Sequence, residues 1–247
     1  MTKPHSRPAT EPAIARPAEL TRPEFRDFVA SLPTDPDLDR LADELRMAWA
    51  ALHAERERAT DLRRRQASLT ASLPGATGTT RTGLLGELLV TGADLGTVPN
   101  ALAAATRRHA RARLGYLHRL KTLAEAEAGR LVAATNGPIA DVDRASLHVF
   151  RVEGYSGSPR PDLADEARHV LRDALAEVAP ARERYRQVKE VAAMATALVE
   201  MSYGPNIAGF CTLDQATRPW EVVAERAAEQ AAEHARREIA SPLEAAA

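Results

Sequence analysis

An all-α fold is predicted by three features of the sequence. Leucine and alanine recur on alternating three- and four-residue spacings over long runs, strand-like composition is confined to one stretch, and proline, glycine and carboxylate residues sit where helices would begin and end. With 45% hydrophobic residues in a chain of 247, there is enough apolar material for a core and length for one or two domains. The expected architecture is a long-helix antiparallel pair followed by a C-terminal helical bundle.

Residues 1–20 alternate proline with polar and small residues and are expected to form a disordered arm, because they offer too little apolar area to offset ordering entropy. An N-terminal helical subdomain is expected over 21–137. It opens with a short helix at Pro23 and Glu24 that buries Phe25, Phe28 and Val29 and stops before Pro33. Asp35-Pro36-Asp37 then combines an N-cap carboxylate, a proline at the first helical position and a second carboxylate at the positive end of the helix dipole. From there Leu38, Leu41, Leu45, Ala48, Leu52, Ala59, Leu62, Leu69 and Leu73 trace a heptad seam, interrupted by Glu55 and Gln66. At about 1.5 Å per residue the seam is roughly 50 Å long.

LPGATGTTRTG, 73–83, reads as a flexible interhelical connection. Gly78 and Gly83 have the separation of a phosphate-binding loop, but Leu84 stands where that motif needs lysine and no strand precedes it. A short helix over 84–90 is expected to stop around Gly92 to Gly96. A long helix follows from about Val98 to Thr135, closed by Asn136-Gly137-Pro138. Its apolar face carries Leu102, Ala105, Tyr116, Leu117, Leu120, Leu123 and Leu131, and its back is basic. If it runs antiparallel to the seam, Glu55 falls near Arg113.

Residues 138–161 read as a linker, within which SLHVFRVEGY, 146–155, is the one β-like, extended stretch. The C-terminal bundle, 162–240, starts with an amphipathic helix carrying Leu163, Ala167, Val170, Leu171, Ala174 and Val178, which is expected to break at Pro180. VAAMATALV, 191–199, is apolar nearly all round and marks a central helix, too short and too closely flanked by charge to span a membrane. A last helix, starting near Pro219 and Glu221 and reaching about Ile239, sets Ala224, Ala228, Ala231 and Ala235 on one face, and 241–247 reads as a tail.

Composition narrows function by exclusion. A net charge of −1 supplies no global field toward nucleic acid or an anionic membrane, so such binding needs a local patch. One cysteine excludes an intramolecular disulfide and a multi-cysteine zinc site, and the first twenty residues contain no apolar signal core. The expected location is therefore cytoplasmic, with no membrane partner and no cofactor. Only 4% of residues are aromatic, which disfavours stacking platforms for bases or sugars.

Three local features could carry chemistry. Glu166 and His169 have the Glu-x-x-His spacing of carboxylate-bridged metal bundles, but such sites use two copies of it and this chain has one; an i,i+4 ion pair of His169 with Asp173 explains it better, so no metal is expected. The segment 107–121 carries six cations and no acid, and Arg107, Arg108, Arg111, Arg119 and Lys121 are the residues a nucleic-acid contact would use. The competing reading is a solvated basic face balanced by the glutamates of the last helix. Finally, EMSYGPNIAGFCTL, 200–213, gathers Tyr203, Asn206, Phe210 and Cys211 at a helix end. These are the candidates for a small-ligand site, although burial as a hydrophobic plug accounts for them more simply.

No nucleophile–base–acid pattern is visible. The expected function is that of a non-enzymatic interaction or assembly protein, binding itself or a helical protein partner through the 38–73 seam. The alternatives are a DNA-binding regulator using 107–121 and a small-ligand or metal-dependent helical enzyme.

Overall fold

The structure is a computed structural model that describes residues 17–154, 160–203 and 220–244. The chain is all-α, and the described residues contain no strand. Among the described residues six helices follow one another: α1 (Ala18–Thr21), α2 (Pro23–Ala30), α3 (Pro36–Ser72), α4 (Gly78–Val152), α5 (Pro161–Tyr203) and α6 (Trp220–Glu244), with a 3-10 turn at Leu73–Gly75. They divide into two compact units: 17–26, 34–116, Tyr203 and α6 in the first, and 27–33 with 117–202 in the second.

In the first unit α3 begins as its sequence dictates. Asp35 caps it, accepting the Leu38 amide at 2.8 Å, and Pro36 occupies the first turn. Leu38, Leu45, Leu52, Ala59 and Leu69 of the seam are buried. In the middle of the seam the cover is α4: Leu52 and Ala59 form one cluster with Val98, Leu102 and Ala105, flanked by Leu62 and Leu95. Nearer the turn, Arg65 of α3 meets Glu87 of α4 at 3.1 Å, so the two helices run antiparallel as expected. The middle of the seam is therefore occupied inside the chain. Glu55 does not meet Arg113 but lies 3.7 Å from Arg58 of its own helix.

Helix α4 departs most from expectation. It is one helix of 75 residues, running through Gly92, Gly96, Pro99 and the Asn136-Gly137-Pro138 triplet. Its true ends lie at the two described glycines with positive φ, Gly78 (56°) just inside its start and Gly154 (87°) just past its end, in the left-handed region a side chain disfavours. The expected stops fail because the apolar face continues across them, through Thr91, Leu95, Val98 and Leu102 in the first unit and through Leu131, Val142, Ala145, Val149 and Val152 in the second. Pro138 removes one backbone bond, to the carbonyl of exposed Ala134, where water can replace it. Pro180 does the same for exposed Ala176 and does not interrupt α5.

The expected extended stretch over 146–155 is helical to Val152; no strand exists among the described residues to pair with it, and Ala145 and Val152 are buried in the unit's core. In this second unit α4 and α5 are also antiparallel: Arg168 lies 2.7 Å from Glu153, and Arg184 3.9 Å from Glu127. Between them lie Leu117, Leu120 and Ala124 of α4 and Val188, Val191, Ala195 and Val199 of α5, all buried. Arg184 also covers the Phe28 ring of α2, 5.5 Å from its centroid.

Residues 17–20 belong to the folded chain, with Pro17 and Glu19 buried, whereas 1–16 of the expected arm lie outside the described residues. Helix α6 buries Ala224, Ala228 and Ala235 as expected and continues past Ile239 to Glu244.

Candidate functional site

The first turns of α4 are unusually rich in glycine and leucine. The side facing α3 presents Thr91, Leu95, Val98 and Leu102. Another side carries Leu85, Leu89, Gly92 and Gly96, at steps of four, three and four residues that keep them on one stripe. Leu85 is 46% exposed, Leu89 76% and the adjoining Val90 63%. At Gly92 and Gly96 an added Cβ would meet open space, so neither glycine is required by any neighbour among the described residues. Each nevertheless weakens the helix by about 1 kcal/mol relative to alanine. Small residues between leucines let a second helix approach the backbone closely. Helix α4 is also long and apolar enough to cross a membrane by length and composition, with mean hydropathy 1.2 over its most apolar stretch, of which 33% is buried.

A buried polar cluster lies further along α4 in the same unit. Arg113 pairs with Glu19 of α1 through Nε and Oε1, and both side chains are nearly inaccessible to solvent. Its guanidinium also covers the ring of Tyr203, 5.9 Å from the centroid, and donates to the Tyr203 hydroxyl. Burial opposes the Arg113 charge, but the Glu19 carboxylate outweighs it and holds the pKa above the ordinary arginine value. Burial raises the Tyr203 pKa and pushes that of Tyr116 up to about 12. His109, one turn before Arg113, is lowered to about 4, first by burial and then by the Arg113 charge. Its Nε2 is buried without a hydrogen-bond partner. The imidazole is neutral at pH 7, and the cluster ties the first helix to α4 and to the end of α5.

Of the ligand candidates, Tyr203 joins this cluster, while Asn206, Phe210 and Cys211 lie outside the described residues. The basic segment is divided between the two units. Arg107 and Arg111 are both engaged by Glu225 of α6, and Arg107 also by Glu229 at 3.2 Å. Lys121 is buried, 2.9 Å from Glu125, and with Arg119 belongs to the second unit. Only Arg108 of the five is exposed with no carboxylate partner among the described residues. Glu166 and His169 are exposed, and His169 Nε2 lies 3.5 Å from Asp173, the ordinary helix-surface pair. Among the described residues no group of three or more His, Cys, Asp or Glu side chains is placed to hold a metal ion.

Compared with protein-family models, curated proteins and solved structures, the chain matches none. Its reading rests on its own geometry. Sequence inspection passes over Leu85, Leu89, Gly92 and Gly96 because the glycines read as helix stops; only in a continuous helix do they form a face. It also passes over Glu19, whose partner is 94 residues away.

Proposed function

We propose that this protein is a non-enzymatic helical assembly protein that associates with a second copy of itself, or with another helical protein, through the α4 face of Leu85, Leu89, Gly92 and Gly96. The exposure of two leucines beside two glycines that no neighbour among the described residues requires supports this reading. Scattered single apolar side chains on a surface are ordinary, whereas a smooth apolar stripe along three helical turns favours a partner helix. The middle of the 38–73 seam, at Leu52, Ala59 and Leu62, is already packed against α4 within the chain, which favours the α4 stripe over the seam as the contact. Two copies of α4 related by a two-fold axis would bring the same stripe against itself, the arrangement of an isologous dimer.

Charge on the face tests this. Leu85→Glu with Leu89→Glu is expected to leave far-UV circular dichroism and thermal unfolding nearly unchanged, since both side chains are exposed, while abolishing association in light scattering. Unchanged association in this variant sinks the proposed face. Gly92→Ala and Gly96→Ala separate the two roles of the glycines: each should stabilise the folded chain by about 1 kcal/mol through helix propensity, yet weaken association by holding the helices apart. An increase in both stability and association contradicts close approach at these positions.

A further inference from the structure

The α4 segment bearing Arg107, Arg108 and Arg111 lies beside α6 in the first unit, and the two helices border a cleft of about 830 Å3. Its floor is small and apolar, with Ala103 and Ala232 buried, so the helices come close and the walls are formed by long side chains. Among the described residues those walls hold five arginines: Arg107, Arg108 and Arg111 from α4, and Arg226 and Arg236 from α6.

The carboxylates around the cleft are already committed. Glu225 engages Arg107 and Arg111, Glu229 lies 3.2 Å from Arg107, and Glu233 lies 3.4 Å from Arg237. Arg108, Arg226 and Arg236 are left with no carboxylate partner among the described residues. Three like charges around one cleft repel each other, and an anion placed among them relieves that repulsion. Guanidinium groups suit oxyanions in particular, since each planar fork can donate two parallel hydrogen bonds to one phosphate or carboxylate. Among the described residues no aromatic side chain lines the cleft, so they offer no surface on which to stack a base or sugar.

We propose that this cleft binds a chain of phosphates, held by Arg108, Arg226 and Arg236 while the Glu225 pairs keep α4 and α6 in place. The site recognises spaced oxyanions rather than any base, so inorganic polyphosphate and the backbone of single-stranded nucleic acid are the two sources of that chemistry. It draws on Arg226 and Arg236, outside the basic segment, and does not depend on the exposed stripe of α4.

The test is fluorescence anisotropy on the full chain with two labelled probes, inorganic polyphosphate and an oligothymidylate. Saturable binding of polyphosphate alone identifies free polyphosphate as the source, and binding of both identifies the phosphate backbone as the common determinant. Arg108→Gln/Arg226→Gln/Arg236→Gln is expected to weaken binding by more than about tenfold and, with the oligonucleotide, to lower the slope of log affinity against log salt by about one per arginine removed. Arg63→Gln/Arg64→Gln on α3 removes exposed charge elsewhere and should bind nearly as the wild type. If the triple variant loses helicity, the single variants Arg108→Gln and Arg236→Gln decide, each expected to weaken binding severalfold at unchanged circular dichroism. Absence of binding to either probe, equal loss in the α3 control, or undiminished binding by the folded variants overturns the proposal.

Discussion

Glu19→Ala is expected to destabilise the chain by about 3–5 kcal/mol, with Arg113→Ala costing a similar amount. The pair is nearly inaccessible to solvent, so truncating either side chain leaves a buried charge that has lost its counterion. Arg113 then keeps the Tyr203 hydroxyl and ring, which compensate part of one full charge. The double variant removes both charges and should cost much less than the sum of the singles. Urea unfolding of the four proteins measures this directly, because a coupling of several kcal/mol is far beyond that of exposed pairs. Additive effects of the two substitutions would show that α1 is not tied to α4 through this contact.

The second large effect concerns pH and comes from His109. Its folded-state pKa of about 4 lies below the ordinary 6.5, because burial and the adjacent Arg113 charge disfavour the imidazolium. Arg56 and His53 of α3 add to that repulsion and Glu19 opposes it. The unfolded chain therefore takes up a proton at pH values where the folded chain refuses it. The stability contribution is fully present above pH 6.5, declines as pH falls toward about 4, and amounts to on the order of 3 kcal/mol across that window. His109→Gln removes the titration while keeping a polar side chain. The difference in stability between wild type and variant, followed by urea unfolding from pH 7 to pH 4, should shift in favour of the variant as pH falls. A difference independent of pH would mean that the imidazole titrates normally in the folded chain.

The parts of the fold legible in the sequence are those where local chemistry and apolar spacing agree. Asp35-Pro36-Asp37 starts α3, and the leucine seam finds its antiparallel cover in α4. Misreading occurs where they conflict. Gly92, Gly96 and Asn136-Gly137-Pro138 carry the residues of helix ends, yet the apolar face runs on through them, and burial of that face outweighs the modest helix-propensity penalty of a few poor helix formers. Gly78 and Gly154, which do border α4, differ in backbone conformation rather than in composition. Site residues follow the same division. The pairing of the basic segment with α6 is foreshadowed by the glutamates of that helix, whereas Arg226 and Arg236 become part of a cleft only through the approach of α6 to α4. Glu19 sits in a proline-rich opening stretch with little apolar area, and only the distant Arg113 gives it a role.

Sedimentation velocity of the wild-type chain over a hundredfold concentration range, at physiological salt, tests the assembly function most directly. A species of twice the chain mass that grows with concentration, and that Leu85→Glu/Leu89→Glu reduces to a monomer, is the result predicted for self-association through α4. A single monomeric species at every concentration, with no added sedimentation on mixing with a helical partner, would contradict it.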